Sequence, residues 1–198
     1  MEAERTQEPM PIIKANATYE DLVEVPDNLV AEIVDGNLHT SPRPAMPHAL
    51  AATALGYVLG NPFHDGIGGP GSWLILDEPE LHLGEDVVVP DIAGWRRERM
   101  ADVPQAPWTS LAPDWICEVA SPSTERLDRV EKLRIYAREG VTHAWLVNPL
   151  SKTLEVFRRE GAAWTFAGAH GGEGVVRVEP FDAIEWELGR LWGRSKQG

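Results

Sequence analysis

Two carboxylates stand inside the most strand-like stretches of this sequence. Asp91 follows three valines and a proline in VVVPDIAGW, residues 87–95, and Glu118 lies within the apolar stretch DWICEVASPS, residues 114–123. A carboxylate in a core must be paired with a cation, protonated or bound to a metal, because leaving it alone costs free energy. Two carboxylates on neighbouring strands would form a hard-oxygen site of the kind that Mg²⁺ or Mn²⁺ prefers.

Lys132, on the helix predicted after the Glu118 strand, could complete such a site. An ammonium beside the two carboxylates would hold a water molecule or a phosphate oxygen, which is the minimum equipment for metal-assisted phosphodiester hydrolysis. Simpler interpretations stay open at this point. Asp91 could be a turn carboxylate, Glu118 could be neutralised by a structural lysine or arginine, and Lys132 could be solvated, because it lies off the centre of its helix's apolar side.

The elements that must position these residues follow from turn and cap signals. A capping box at Thr18–Asp21 predicts a short helix. Asp35-Gly36 predicts a hairpin over Leu29–Thr40, because a type I′ turn needs positive φ at both central residues. The remaining pattern predicts, in order, a helix at 48–59, a hairpin of strands 72–83 and 86–95, a strand at 115–120, a helix from Ser123 or Thr124 to about Glu139, a strand at 142–147, short strands within 153–179 and a helix at 181–192.

This order predicts an α/β fold in which a mixed β-sheet is flanked by helices, with an N-terminal hairpin and C-terminal strands. The strand–helix–strand unit of residues 114–147 is long enough for a parallel crossover. Residues 1–17 are polar, which predicts a disordered or extended arm before a single domain at 18–198. FHDGIGGPG, residues 63–71, contains a G-x-G-x-x-G pattern, but it follows a helix and opens a strand, so we interpret it as a plain loop.

Composition limits the classes of function. The net charge is −13, and the sequence lacks the basic run that nucleic-acid binders usually carry; the nearest group is Arg96, Arg97 and Arg99. No apolar run reaches the roughly 20 residues that span a bilayer, and the N-terminus lacks the apolar stretch of a secretory signal. Cys117 is the only cysteine, so a disulfide framework is excluded, and we expect a cytoplasmic protein without a membrane partner.

Several stretches resemble one protein family. Pro90-Asp91 followed one strand later by Glu118 is similar to the motif of the PD-(D/E)xK nuclease superfamily, and within it to the Uma-two family. The resemblance runs from about Thr18 to Trp192. Its markers are TYEDL, EIVDGNL, VVVPDIAGW and the long stretch PDWICEVASPSTERLDRVEKLRIYAREGVTHAWLVNP at 113–149.

The resemblance implies a restriction-endonuclease-like fold with a metal-dependent site. Asp91 and Glu118 would be the metal-binding pair, and Glu32 an additional catalytic acid and metal ligand. Because Ala120 stands where the simple motif has lysine, Lys132 would supply that group and orient or help deprotonate the attacking water. His48 matches a histidine of the family, for which phosphate contact and helix capping are both open.

The resulting hypothesis is an endonuclease that uses Mg²⁺ or Mn²⁺ to hydrolyse phosphodiester bonds of nucleic acid, with DNA as the expected substrate. Strand edges and apolar loop residues suggest a homodimer, as the resemblance also does. Two other functions fit the sequence. The acidic charge favours a non-catalytic binding or assembly module on the same fold, and a metal-dependent hydrolase of a smaller phosphoester would need no basic groove.

Overall fold

Fourteen strands and three α-helices make up residues 12–193, the part of the chain that this computed structural model describes. Of the arm predicted at 1–17, residues 1–11 lie outside the described residues. Residues 12–15 are extended and form β1. The strands are β1 (Ile12–Ala15), β2 (Leu29–Val34), β3 (Asn37–Pro42), β4 (Trp73–Asp77), β5 (Glu80–Leu83), β6 (Asp86–Val88), β7 (Ile92–Arg96), β8 (Trp108–Thr109), β9 (Trp115–Val119), β10 (His143–Asn148), β11 (Thr153–Glu160), β12 (Ala163–Gly171), β13 (Val175–Val176) and β14 (Trp186–Glu187).

The helices are few and carry irregular turns. They are α1 (Tyr19–Val23), α2 (Met46–Leu59) and α3 (Leu133–Arg138), with π-helical segments at Gly60–His64 and Leu127–Lys132 and a 3₁₀ segment at Leu188–Trp192. The capping box is present, because the Thr18 backbone N–H donates to the Asp21 carboxylate over 2.8 Å. None of the described helices is long and apolar enough to cross a membrane.

Two six-stranded sheets form the framework. The first has the order β1-β3-β2-β6-β5-β8 and the second the order β12-β11-β10-β9-β7-β4. In the second sheet β9 and β10 run parallel, with Glu118 opposite Leu146, whereas β7 runs antiparallel to β9. The predicted mixed sheet, N-terminal hairpin and parallel crossover are therefore confirmed. The glycine-rich stretch is a loop, as predicted, and three of its glycines have positive φ.

The second predicted hairpin differs from the prediction, because both of its arms are broken. Residues 72–83 and 86–95 were each expected to form one strand. Instead β4 and β7 pair in the second sheet, whereas β5 and β6 pair in the first. The breaks occur at Glu78-Pro79 and at Val89–Asp91, where two prolines lack the N–H that a continuous ladder needs. The hairpin thus passes from one sheet to the other.

The predicted C-terminal helix at 181–192 is also wrong in most of its length. Trp186–Glu187 pairs with Val175–Val176 as a strand, and only the 3₁₀ segment is helical. Phe181 and Trp186 both contact Trp145, with ring centroids 5.5 and 6.2 Å away. Residues five apart lie on different faces of an α-helix, so an irregular path is what lets both rings reach the same partner.

Candidate active site

The broken hairpin creates the site, because its backbone leaves the ladders at the seam between the two sheets. Asp91 lies just before β7, and its carbonyl oxygen accepts from the Glu78 N–H over 3.0 Å. Side chains satisfy the unpaired backbone groups of Val89. Its N–H donates to Glu32 Oε1 over 2.8 Å, and its carbonyl oxygen accepts from Lys132 Nζ over 3.1 Å. Because these buried backbone groups need hydrogen-bond partners, polar side chains point inward at the seam.

Asp91 is fixed from two sides. β7 begins at Ile92, opposite Cys117 of β9, so Glu118 and Val119 of β9 extend past the start of β7. There Asp91 Oδ2 accepts a 2.6 Å hydrogen bond from the Val119 N–H. Its other oxygen lies 3.1 Å from Nε2 of His48, a buried residue of the first turn of α2. The N-cap of α2 is Ala45, so His48 does not cap the helix.

Glu118 is buried in a strand whose residues are all buried. Its Oε1 accepts from the Tyr136 hydroxyl over 2.6 Å and lies 2.9 Å from Lys132 Nζ. Lys132 therefore pairs with Glu118, as the simpler interpretation of Glu118 as a carboxylate neutralised by a lysine or arginine expected. A buried carboxylate with a phenol and an ammonium as donors avoids the cost of isolation.

Lys132 is the centre of the charge network. Its side chain is only 2% exposed, and Nζ lies 2.8 Å from Glu32 Oε1 as well as 2.9 Å from Glu118 Oε1. With the Val89 carbonyl, these partners use the three donors of the ammonium. Asp128 Oδ1 lies further away, at 3.6 Å. The predicted alternative of a solvated lysine is therefore wrong.

The π-helical segment explains why the helical pattern misplaces Lys132. A regular helix would turn Leu127 and Val130 toward the core together. In the structure Val130 is 57% exposed, while Asp128 and Lys132 are buried. A π-helical turn bonds i to i+5, so it shifts the inward face relative to α-helical spacing, and such turns are frequent at functional sites.

All of the polar side chains described above except that of Tyr136 line one pocket with a volume of about 60 Å³, which has room for a few water molecules. Exposed residues at 42, 44 and 78 form its rim. The polar lining is Glu32, Ser41, His48, Glu78, Asp91, Glu118, Ser121, Thr124, Asp128 and Lys132. All five site residues expected from the sequence are thus brought together.

Two residues of the charge network around Lys132 and Glu118, namely Asp128 and Tyr136, were not expected. Each lies four residues from Lys132, on either side of it. Residues at that spacing share a helix face, so the signal was present in the sequence. It could not be used without knowing that Lys132 faces inward.

The pocket holds more negative charge than its cations compensate. Burial raises the pKa of Glu118 well above its usual range, because Lys132 offsets burial only in part and the neighbouring carboxylates repel the charged form. Burial likewise raises the pKa of Asp128 to about 7. Burial would lower the pKa of Lys132, but Glu118 and Glu32 outweigh it, so the pKa lies well above its usual range. Lys132 is therefore an ammonium at neutral pH.

His48 is a second group that would carry positive charge when protonated. Burial would lower its pKa, yet the hydrogen bond to Asp91 and the charge of that carboxylate leave the pKa raised. A protonated imidazole would hold Asp91 more strongly than a neutral one. His48 thus positions Asp91, and its predicted contact with phosphate stays a prediction.

We expect stability to depend on pH through Asp128. Its folded pKa of about 7 exceeds the ordinary value of about 3.9, so the folded state binds the proton more tightly. The stabilisation is complete below about pH 4 and is lost as the pH rises toward 7, by on the order of 4 kcal/mol at most. Asp128→Asn removes this loss, and the variant should exceed wild type in unfolding free energy at pH 8 but not at pH 4.

Denaturant unfolding with chelator between pH 4 and pH 8 measures this difference. Asp102→Asn, in an exposed loop, is the matched control and should follow wild type at every pH. A difference between Asp128→Asn and wild type that is the same at pH 4 and pH 8 would contradict the prediction.

The arrangement of the carboxylates suits a divalent cation that is bound by two of them and not by three or more. Among residues 12–193, no group of three or more His, Cys, Asp or Glu side chains is arranged to hold an ion. Mg²⁺, however, is commonly bound by one or two carboxylates, with water and substrate phosphate completing its shell. Asp91 and Glu118 fit that pattern, and the surplus negative charge of the pocket favours a cation. Glu32 Oε1 is occupied by Lys132 and Val89, so its predicted role as a further ligand stays a prediction.

The fold and this pocket define the chain as an α/β protein of nuclease-like architecture. It belongs to the Uma2 family, because the family model described as "Uma2: Putative restriction endonuclease" matches residues 17–189. This confirms the resemblance found in the sequence. No curated protein is significantly similar to the chain.

A solved structure supports the fold. The chain is similar to "a putative nuclease belonging to DUF820 from Anabaena variabilis", with a TM-score of 0.70 and 19% sequence identity. The match covers 89% of this chain and 97% of that one. At this level of identity, the likeness shows a shared fold.

Proposed function

We propose that the chain is an endonuclease that depends on Mg²⁺ or Mn²⁺ and hydrolyses phosphodiester bonds of nucleic acid, with DNA as the expected substrate. The observation that carries the proposal is the convergence of Asp91, Glu118 and Lys132 in one pocket at the seam of the sheets. Membership of the family described as "Putative restriction endonuclease" supports the same class of reaction.

Asp91 and Glu118 would hold the cation. When bound, it would polarise a phosphoryl oxygen and lower the pKa of a coordinated water molecule. The protein's own groups have separate roles. The Lys132 ammonium would stabilise negative charge that develops on the phosphate. Because its pKa is raised and its three donors already bind Glu32, Glu118 and the Val89 carbonyl, we propose that it acts on the attacking water through its positive charge and does not take the proton from it.

Three residues would keep this arrangement rigid. Glu32 holds Lys132, Tyr136 holds Glu118, and His48 holds Asp91. Groups held by packing and hydrogen bonds need little rearrangement when the substrate binds, which is how a preformed site lowers a barrier. We therefore propose Glu32 as a residue that positions the lysine.

A hydrolase of a smaller phosphoester is the second candidate, and the shape and charge of the site favour it. The pocket is small, and the exposed Glu78 stands on its rim. Burial and, after it, the charges of Asp77 and Asp91 raise the pKa of Glu78, so two further carboxylates act on this entrance. A long polyanion would meet more repulsion here than a small phosphodiester, which carries a single negative charge.

Cleavage assays at low salt distinguish these functions. Plasmid DNA, single-stranded DNA and bis(p-nitrophenyl) phosphate are each incubated with Mg²⁺, with Mn²⁺ and with chelator. We expect nicking of DNA that requires the metal and disappears with chelator. Hydrolysis of the small diester alone would select the second candidate. If no substrate is cleaved, although calorimetry shows that the cation binds, the chain is a non-catalytic module.

A further inference from the structure

Helix α2 carries an exposed apolar stripe on the side away from the core. Met46, Leu50 and Tyr57 are 82%, 44% and 80% exposed, and Thr53 between them is exposed as well. At 3.6 residues per turn, these four positions lie within about 60° of the helix circumference. The opposite face is buried in the core through Ala51, Leu55, Val58 and Leu59.

The stripe belongs to a segment without formal charge. Between Arg43 and Asp65 the sequence contains no Asp, Glu, Lys or Arg, although the whole chain carries a net charge of −13. Two copies of such an acidic chain repel each other. They can approach most easily through a surface that holds no carboxylate, and the stripe on α2 is such a surface.

The spacing of the stripe suits pairing with itself. Its intervals of four, three and four residues read the same in both directions. A two-fold axis between positions 50 and 53 would place Met46 of one copy opposite Tyr57 of the other, and Leu50 opposite Thr53. Gly56 lies about 60° further around the helix than Thr53, and an added Cβ there would meet nothing within 4 Å. Self-complementarity of this kind is what a two-fold dimer requires.

We propose that a second copy of this chain docks on the α2 stripe, with the two helices antiparallel. This surface lies beside the candidate site, since Met46 is two residues from His48 and follows the rim prolines Pro42 and Pro44. Dimerisation would thus bring the second copy close to the mouth of the pocket. The inference goes beyond the proposed function and does not depend on it.

Sedimentation equilibrium of the full chain over a range of concentrations tests the pairing. Wild type should show a monomer–dimer equilibrium. Met46→Glu and Tyr57→Lys should each weaken the dimer by about tenfold or more, because each places an unpaired charge in the interface. Both changes suit the helix dipole, since the new carboxylate lies at the N-terminal end of α2 and the new ammonium near its C-terminal end. Circular dichroism should confirm that both variants fold.

The double variant, Met46→Glu with Tyr57→Lys, tests the register. In the antiparallel pairing, the carboxylate introduced at position 46 of one copy meets the ammonium introduced at position 57 of the other, and this pair forms twice. The double variant should therefore dimerise more tightly than either single variant. Leu150→Glu and Leu150→Lys, on an exposed turn, are the charge-matched controls and should dimerise like wild type.

Three results would overturn the proposal. They are a wild type that stays monomeric at every concentration, a dimer that tolerates both single changes, and a double variant weaker than its parents. Flotation with zwitterionic vesicles tests the alternative that the stripe binds a lipid surface. A monomer that binds vesicles, and loses binding with Tyr57→Lys, would assign the stripe to a lipid surface.

Discussion

Asp91→Asn and Glu118→Gln should each lower the rate of metal-dependent cleavage by about 10³-fold, which corresponds to roughly 4 kcal/mol of transition-state stabilisation. Each change removes one negative charge and keeps the size of the side chain. An asparagine oxygen at 91 can still accept from the Val119 N–H. Glutamine at 118 can still accept from the Tyr136 hydroxyl. The loss should therefore come from the missing charge and not from unfolding.

Matched controls separate the site from general effects of charge. Glu24→Gln and Asp102→Asn remove the same groups at exposed positions, and both should cleave at the wild-type rate. Calorimetric titration with Mn²⁺ gives a second measurement, in which each site variant should bind the cation at least about tenfold more weakly. Cleavage that survives in both site variants would place the reaction elsewhere or in a contaminant.

The parts of the fold that depend on adjacent residues could be predicted from the sequence. Asp35 and Gly36 have φ of 50° and 72°, as the predicted type I′ turn requires. Gly140, which directly follows the helix predicted to end at about Glu139, has φ of 90°, the conformation in which a glycine commonly ends a helix. The parallel pairing of β9 with β10 follows from the length of the connection between them. In each case, the chemistry of a few neighbouring residues decides the conformation.

The transfer of the hairpin between two sheets could not be predicted in the same way. Apolar residues continue through both arms, so a single strand pattern describes each arm well. Only the tertiary structure decides that β4 pairs with β7 while β5 pairs with β6. The prolines at 79 and 90 marked the breaks, but a proline alone is equally compatible with an edge strand.

The site was predicted from the resemblance more than from the pattern of residues. Periodicity placed Lys132 off the apolar side of its helix, and it took the π-helical segment to turn the side chain inward. For Glu32, alternation along a strand puts neighbouring residues on opposite faces but does not show which face is buried. Packing against the π-helical segment selects the buried face. Local patterns therefore identify candidate residues, whereas three-dimensional packing decides which of them meet.

Lys132→Met should lower the free energy of unfolding by about 3–5 kcal/mol at neutral pH, because it leaves buried carboxylates without their cation. Methionine fills a similar volume, so the loss measures the missing charge. The wild-type lysine keeps its proton at neutral pH, since its pKa is raised. In the variant, Glu118 and Asp128, whose pKa values are already raised, can escape their repulsion only by binding protons. The loss should therefore shrink as the pH falls toward 4.

Denaturant unfolding at pH 4 and pH 7.5 measures this effect, and cleavage assays on the folded variant measure the catalytic part. Arg129→Met is the matched control, because Arg129 lies on the same π-helical segment but is 41% exposed and pairs with Glu155 at the surface. It should cost no more than about 1 kcal/mol. If Lys132→Met were as stable as this control, the lysine would not be the group that holds the acids together. If it were unstable but cleaved DNA normally at low temperature, the lysine would serve the fold alone.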